Sequence, residues 1–368
     1  MKDRYGREIQ YLRISVTQKC NLKCIYCNPG QAGSEGQESE GARFKYREDG
    51  AIHREGGFLQ KADGSVREPD FVVPMSNDSV TEESDGCANP LSVEEIGTIV
   101  KALAELGIKK VRLTGGEPLM RNDICDIVSC ISGIQGIEDI SMTTNGILLD
   151  RYARRLKEAG LMRLNISLDS LDREKFKYIT GGGRLDDVLD GIKAAIDVGF
   201  SRIRINAVII KGINDDEIDS FIGLTRDMPV DVRFIELMPI GSFGEENEDK
   251  IVYNDSIIAS HPELVPCESD DNSQPARYFA IEGFKGRVGF ISPMSHKFCN
   301  LCNRIRLTCD GKIKPCLGNN YEVDIAGVLR SKKDKLTDVL ARAIYEKPKG
   351  HNFNKGFSST RSMNLIGG

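Results

Sequence analysis

Tryptophan is absent from this chain, and that absence by itself excludes nothing. Other absences exclude more. No run of about 18 apolar residues occurs, so no transmembrane helix is expected. The opening residues Met1 to Glu8 lack the apolar stretch of a secretion signal. Neither sign of charge dominates. Lys and Arg number 50 against 55 Asp and Glu, giving a net charge of −5 and a pI near 5.6. Nothing in that balance argues for a nucleic-acid partner.

What the chain does have is cysteine, 11 in all. Without an export signal, a reducing cytoplasm and cofactor ligation are expected rather than disulfides. The length of 368 residues accommodates one large domain plus an extension.

Six segments read as strands: Tyr11–Thr17, Lys110–Thr114, Asp139–Thr144, Met162–Asp169, Arg202–Ile209 and Asp231–Met238. Helical patterns separate most of them. In Leu91–Leu106, Ser92 and Glu95 have capping-box spacing. Ile96, Ile99, Val100, Leu103 and Leu106 form one stripe, and Gly107 can end the helix. Such alternation implies parallel strands joined by right-handed crossovers.

Side chains alternate faces along a strand. Leu12, Ile14 and Val16 oppose Arg13, Ser15 and Thr17; Met162, Leu164, Ile166 and Leu168 oppose Arg163, Asn165, Ser167 and Asp169. Arg112, Thr143 and Arg204 also fall on polar faces. A closed eight-stranded barrel fills its interior with Val, Ile and Leu. Here the interior would be polar, suited to surrounding a large polar ligand. The expected fold is α/β, an incomplete (βα)6 TIM-like barrel over residues 1–240 with a C-terminal α+β extension over 241–368. An antiparallel sheet with one wet face is the duller alternative, disfavoured by the intervening helices. The sixth strand is ambiguous. Arg233 and Met238 are five apart, so either a bulge intervenes or Met238 lies past the strand end.

Two cysteine trios stand far apart: Cys20, Cys24 and Cys27 directly after the first strand, and Cys299, Cys302 and Cys316 near the C-terminus. A four-iron cluster normally takes four cysteines. Three leave one iron free to bind a small molecule, as an open position distinguishes a catalytic zinc from a structural one. Zinc or chance spacing is the alternative for each trio taken alone. An open iron after the first strand could hold the amino and carboxylate groups of S-adenosylmethionine and reduce its sulfonium. Thr114-Gly115-Gly116-Glu117-Pro118 follows the second strand. Its glycines would allow close backbone approach to a ligand, and its carboxylate could hold an ammonium.

The first trio with Gly-Gly-Glu-Pro resembles the radical S-adenosylmethionine superfamily. Pro293 to Thr308, then Asp310, Gly311 and Cys316, closely resemble the GTP 3′,8-cyclase family within it. The resemblance implies two [4Fe-4S] clusters, one on each trio, with S-adenosylmethionine at the first and the guanine of GTP at the second. It implies that a 5′-deoxyadenosyl radical takes hydrogen from C3′, that C3′ attacks C8, and that a reduction then gives the cyclised nucleotide, opening molybdenum cofactor biosynthesis. By motif match, Tyr26, Gly116, Ser167 and Met238 would contact S-adenosylmethionine. Arg13, Arg112, Thr143, Arg204, Arg233, Arg304, Ile305 and Arg306 would contact GTP. The implied partners are a flavodoxin- or ferredoxin-like electron donor and, downstream, cyclic pyranopterin monophosphate synthase; a homodimer is left open.

Gln31 to Pro90 departs from the pattern and is expected to be a flexible surface insertion, or else a lid or docking element. Asn28 replaces the Met usual after the third cysteine. His296 is expected to pack near the second trio without ligating. Cys87, Cys125, Cys130, Cys267 and Cys309 are expected to be buried small residues. The tail Gly367-Gly368 is expected to reach the active site, as the family's similar tail does. Two other functions stay open: a radical enzyme acting on a peptide, and a metal-dependent binding module without catalysis.

Overall fold

The computed structural model describes residues 1–27, 90–268, 274–353, 357, 359–361 and 363–367, together with the strands Phe44–Tyr46 and Ile52–Arg54. The first strand is β1 (Tyr11–Ser15). Phe44–Tyr46 (β2) and Ile52–Arg54 (β3) pair antiparallel within residues 30–83, a unit of its own. The rest of the expected insertion up to residue 89, with Cys87, and Asn28 before it lie outside the described residues.

The remaining predicted strands follow as β4 (Lys110–Thr114), β5 (Asp139–Thr144), β6 (Arg163–Ser167), β7 (Ile203–Ile209) and β8 (Val230–Glu236). They lie side by side in the order β1-β4-β5-β6-β7-β8, every neighbouring pair parallel. Between them run α1 (Val93–Glu105), α2 (Ile124–Ser132), α3 (Leu149–Glu158), α4 (Arg173–Thr180), α5 (Leu185–Asp197) and α6 (Ile218–Asp227). The capping box of α1 forms: Glu95 N donates to Ser92 Oγ at 3.2 Å, and Ser92 N donates to Glu95 Oε2 at 3.0 Å. Ile96, Ile99, Val100 and Leu103 of its stripe are buried, and Gly107 with φ +96° turns the chain into β4.

Two strand ends differ from expectation. β6 begins at Arg163, so Met162, expected on the apolar face, precedes the strand and is 47 % exposed. β8 stops at Glu236, so Met238 lies past the strand end and no bulge is needed to bring it and Arg233 to one cavity.

The C-terminal half joins the same sheet. β9 (Val265–Cys267) and β10 (Ala276–Ala280) pair antiparallel outside β11 (Val288–Ile291), which lies parallel beside β8. At the other edge β12 (Arg304–Leu307) lies parallel beside β1, with β13 (Lys312–Lys314) and β14 (Val323–Asp324) antiparallel outside it. The sheet has twelve strands and does not close. Because β11 and β12 both run in the direction of β1, the chain from Ser292 to Asn303 must pass from the end of β11 to the start of β12. That link crosses the opening and carries Cys299 and Cys302.

Leu12, Ile14, Val111, Leu113, Leu164, Ile166, Ile203 and Ile205 are buried in one apolar core with the helices. Register aligns the opposite faces: Arg306, Arg13, Arg112, Ser141 and Arg163 form one row across five strands, and Thr143, Asn165, Arg204 and Asp231 another. The interior is therefore polar.

Candidate active site

The polar faces enclose a cavity of about 380 Å³, within the range of cofactor and ligand sites. All six cysteines of the two trios line it. The first trio follows the C-terminal end of β1. The second stands near the strand starts, since Arg304, two residues after Cys302, pairs with Tyr11 at the beginning of β1. The trios thus occupy opposite ends.

The Gly-Gly-Glu-Pro loop buttresses the first trio. Gly116 N donates to Thr17 O at 2.8 Å and Glu117 N to Lys19 O at 2.7 Å. A Cβ on Gly116 would stand 2.2 Å from Lys19 O. The close approach expected toward a ligand is therefore also an approach to the backbone that leads into Cys20. Glu117, expected to hold an ammonium, is engaged by the protein: Oε1 accepts from Thr144 Oγ1 at 2.7 Å and Leu119 N at 3.0 Å, and Oε2 accepts from Asn145 N at 2.6 Å. It ties the ends of β4 and β5 together.

Burial pushes the Glu117 carboxyl up to about 7, against the hydrogen bonds that lower it. Its folded pKa exceeds the ordinary glutamate value, so its stabilising contribution is complete below about 4.3 and is lost as pH rises through about 7. Glu117→Gln is expected to destabilise the fold by about 1–3 kcal/mol, by facing an amide NH₂ toward backbone donors. It should also flatten stability against pH in that window, as read by chemical denaturation at several pH values. Asp169 resembles Glu117: it accepts from the Tyr26 hydroxyl and, at 2.8 Å, from Val208 N, and burial raises it to about 6. Tyr26 is thereby fixed over the first trio, and Ser167 and Met238 complete the lining at that end.

At the other end Lys347 Nζ donates to Arg304 O at 2.8 Å and Pro315 O at 2.6 Å, tying together the segments that carry Cys302 and Cys316. Burial pushes the Cys302 thiol up, but Lys347 and Arg304 outweigh it and the net shift is downward. Among the described residues no three His, Cys, Asp or Glu side chains converge as a single metal ion would require. Three thiolates at each end are a donor set that suits an iron–sulfur group. His296 turns away, with Nε2 2.6 Å from Asp255 Oδ2, and does not line the cavity. Every described cysteine is a free thiol. Cys309 is buried as expected, whereas Cys125, Cys130 and Cys267 are only half-buried.

Between the trios the lining is cationic: Arg13, Arg112, Arg163, Arg204, Arg233, Arg304 and Arg306, with Lys110. Arg163 is paired with Asp139. Among the described residues Arg204 has as its ion-pair partner only Asp231 at 3.8 Å, a carboxylate that Arg287 also holds at 3.0 Å. Arg233 is held by neutral amides, Asn165 Oδ1 at 2.6 Å and Asn206 Oδ1 at 2.8 Å. Among the described residues Arg13 Nε has no hydrogen-bond partner. Burial and the neighbouring guanidinium groups lower Arg233 and Arg306 to about 10 and Arg13 well below its usual range. Positive charge is concentrated here beyond what protein carboxylates neutralise, which is the electrostatics of an anion site.

Thr143 lines the same space. Ile305 does not: its side chain lies in the core under the sheet, so only its backbone can face a ligand. The tail packs beside the cavity, which Met363 lines. Ile366 and Gly367 are buried, and Arg306 donates to the Gly367 carbonyl. A Cβ on Gly367, at φ +72°, would stand 2.6 Å from Thr114 Cγ2. Gly368 lies outside the described residues. Lys110 and Tyr11 went unnoticed as site residues, although each shares strand parity with a polar-face arginine two residues on.

The radical SAM superfamily profile matches residues 14–225, and one described as Molybdenum Cofactor Synthesis C matches 230–353. A GTP 3′,8-cyclase of Alkaliphilus oremlandii is 45 % identical over 370 positions, covering 100 % of both chains. The chain belongs to the GTP 3′,8-cyclase family. A relative of that name from Peptoclostridium acidaminophilum is 42 % identical, with 100 % of this chain and 98 % of that one covered. Among solved structures, Streptococcus suis SuiB bound to S-adenosylmethionine shares the fold, with a TM-score of 0.57 at 16 % identity over 98 % of this chain and 71 % of that one. No helix among the described residues is long and apolar enough to cross a membrane.

Proposed function

We infer that the protein converts GTP to (8S)-3′,8-cyclo-7,8-dihydroguanosine 5′-triphosphate, the first step of molybdenum cofactor biosynthesis. The observation that carries this is the cavity itself, a cationic chamber with a cysteine trio at each end. Cys20, Cys24 and Cys27 would hold one [4Fe-4S] cluster and Cys299, Cys302 and Cys316 a second; the first, with S-adenosylmethionine, supplies a 5′-deoxyadenosyl radical. The residues here orient and enclose. Tyr26, Gly116, Ser167 and Met238 form the S-adenosylmethionine end. Arg13, Arg112, Arg204 and Arg233 neutralise the triphosphate, and Arg304 and Arg306 hold the nucleotide beside the second trio. The C3′–C8 closure is intramolecular, so holding ribose and base between the two ends would act by fixing the conformer in which the two carbons approach. A low-potential one-electron donor, flavodoxin- or ferredoxin-like, completes the reaction. A peptide substrate would not need this density of guanidinium groups.

Anaerobic incubation with GTP, S-adenosylmethionine and dithionite tests the reading. Co-production of 5′-deoxyadenosine and the cyclised nucleotide is expected, and 5′-deoxyadenosine formation indifferent to GTP, without a nucleotide product, would contradict it. Deleting Gly367 and Gly368 is expected to lower product formation while iron content is unchanged, because Arg306 loses its carbonyl partner.

A further inference from the structure

Tyr11 opens β1 on the same face as Arg13, opposite Arg304 of β12 and Lys110 of β4. It is 6 % exposed and lines the cavity. Its ring lies against two guanidinium groups, Arg112 Cζ 5.4 Å and Arg304 Cζ 5.7 Å from the centroid. Its hydroxyl faces Ser141 without meeting hydrogen-bond geometry, and among the described residues it has no other partner. A buried hydroxyl left unpaired is costly and calls for a partner. Arg13 Nε, on the same strand face, is unpaired too. Two donors in one cationic pocket are left without acceptors, and the surrounding charge selects an anionic one.

We propose that Tyr11 is a nucleotide-binding residue whose hydroxyl donates a hydrogen bond to a phosphate oxygen of GTP, while its ring fixes the directions of Arg112 and Arg304. This rests on the GTP reading above. The neighbouring guanidinium groups lower the phenol to about 8 in spite of burial, which makes it a stronger donor than an ordinary tyrosine.

Tyr11→Phe keeps the ring and both cation contacts and removes only the donor. Binding of GTP, and of inorganic tripolyphosphate as a base-free probe, is measured by anaerobic equilibrium dialysis on iron-loaded protein. Both are expected to weaken roughly tenfold, as for one hydrogen bond to a charged acceptor. Iron content and the KM for S-adenosylmethionine should stay unchanged, and the KM for GTP should rise more than kcat falls. Tyr11→Leu, which also frees the guanidinium groups, should weaken binding further. Unaltered binding of both probes by the Phe variant overturns the proposal. A loss confined to GTP overturns the phosphate assignment. Failure of the unaltered protein to bind GTP overturns the substrate reading, and this proposal with it.

Discussion

Protein carrying Cys24→Ala is expected to form neither 5′-deoxyadenosine nor cyclised nucleotide, whereas Cys302→Ala should still cleave S-adenosylmethionine yet make no product. The asymmetry follows from the placement of the trios. Cys24 belongs to the loop after β1, packed on Gly-Gly-Glu-Pro and beside Tyr26 and Asp169. Cys302 belongs to the link that crosses the sheet opening, near the strand starts. Losing a thiolate ligand at one end leaves the other end's scaffold in place, because the two are built from different loops. Chromatography of both products from single-turnover reactions reads the result. Equal loss of 5′-deoxyadenosine in both variants would mean that the ends do not have separate tasks.

The second large effect concerns the arginines of β12. Arg304 and Arg306 alternate with the buried Ile305, so both face the cavity beside the second trio. Arg306 also anchors the tail through Gly367. Replacing both with Ala removes two charge-assisted contacts of about 1.5–3 kcal/mol each. A fall in kcat/KM for GTP of roughly 10²- to 10⁴-fold is expected. No cysteine is touched, so iron and sulfide should be retained. Unchanged turnover, or a loss explained by lost iron, would remove these residues from the nucleotide site.

Much of this was legible in one dimension. Period-two alternation placed Arg13, Arg112, Thr143, Ser167 and Arg204 on polar faces, and parallel register brings those faces into one chamber. A pattern with period two reports which side a residue takes; it does not report what stands opposite. That is why the carboxylate of Glu117, free on paper, turned out to be engaged by Thr144, Leu119 and Asn145, and why Gly116 proved to accommodate the Cys20 loop. The strands β11 and β12, which flank β8 and β1, were not legible, being four residues each and paired with segments far away in sequence. Yet they decide where Cys299 and Cys302 lie. Tyr11 shares the strand face of Arg13, but an aromatic side chain does not by itself announce a polar site; its ring is buried among guanidinium groups.

Iron and acid-labile sulfide in anaerobically purified protein test the central claim most directly. The account predicts roughly eight of each per chain, falling to about four when either Cys20, Cys24 and Cys27 or Cys299, Cys302 and Cys316 are replaced by Ser. Zinc in place of iron at the second trio, or an iron content indifferent to its replacement, would contradict it.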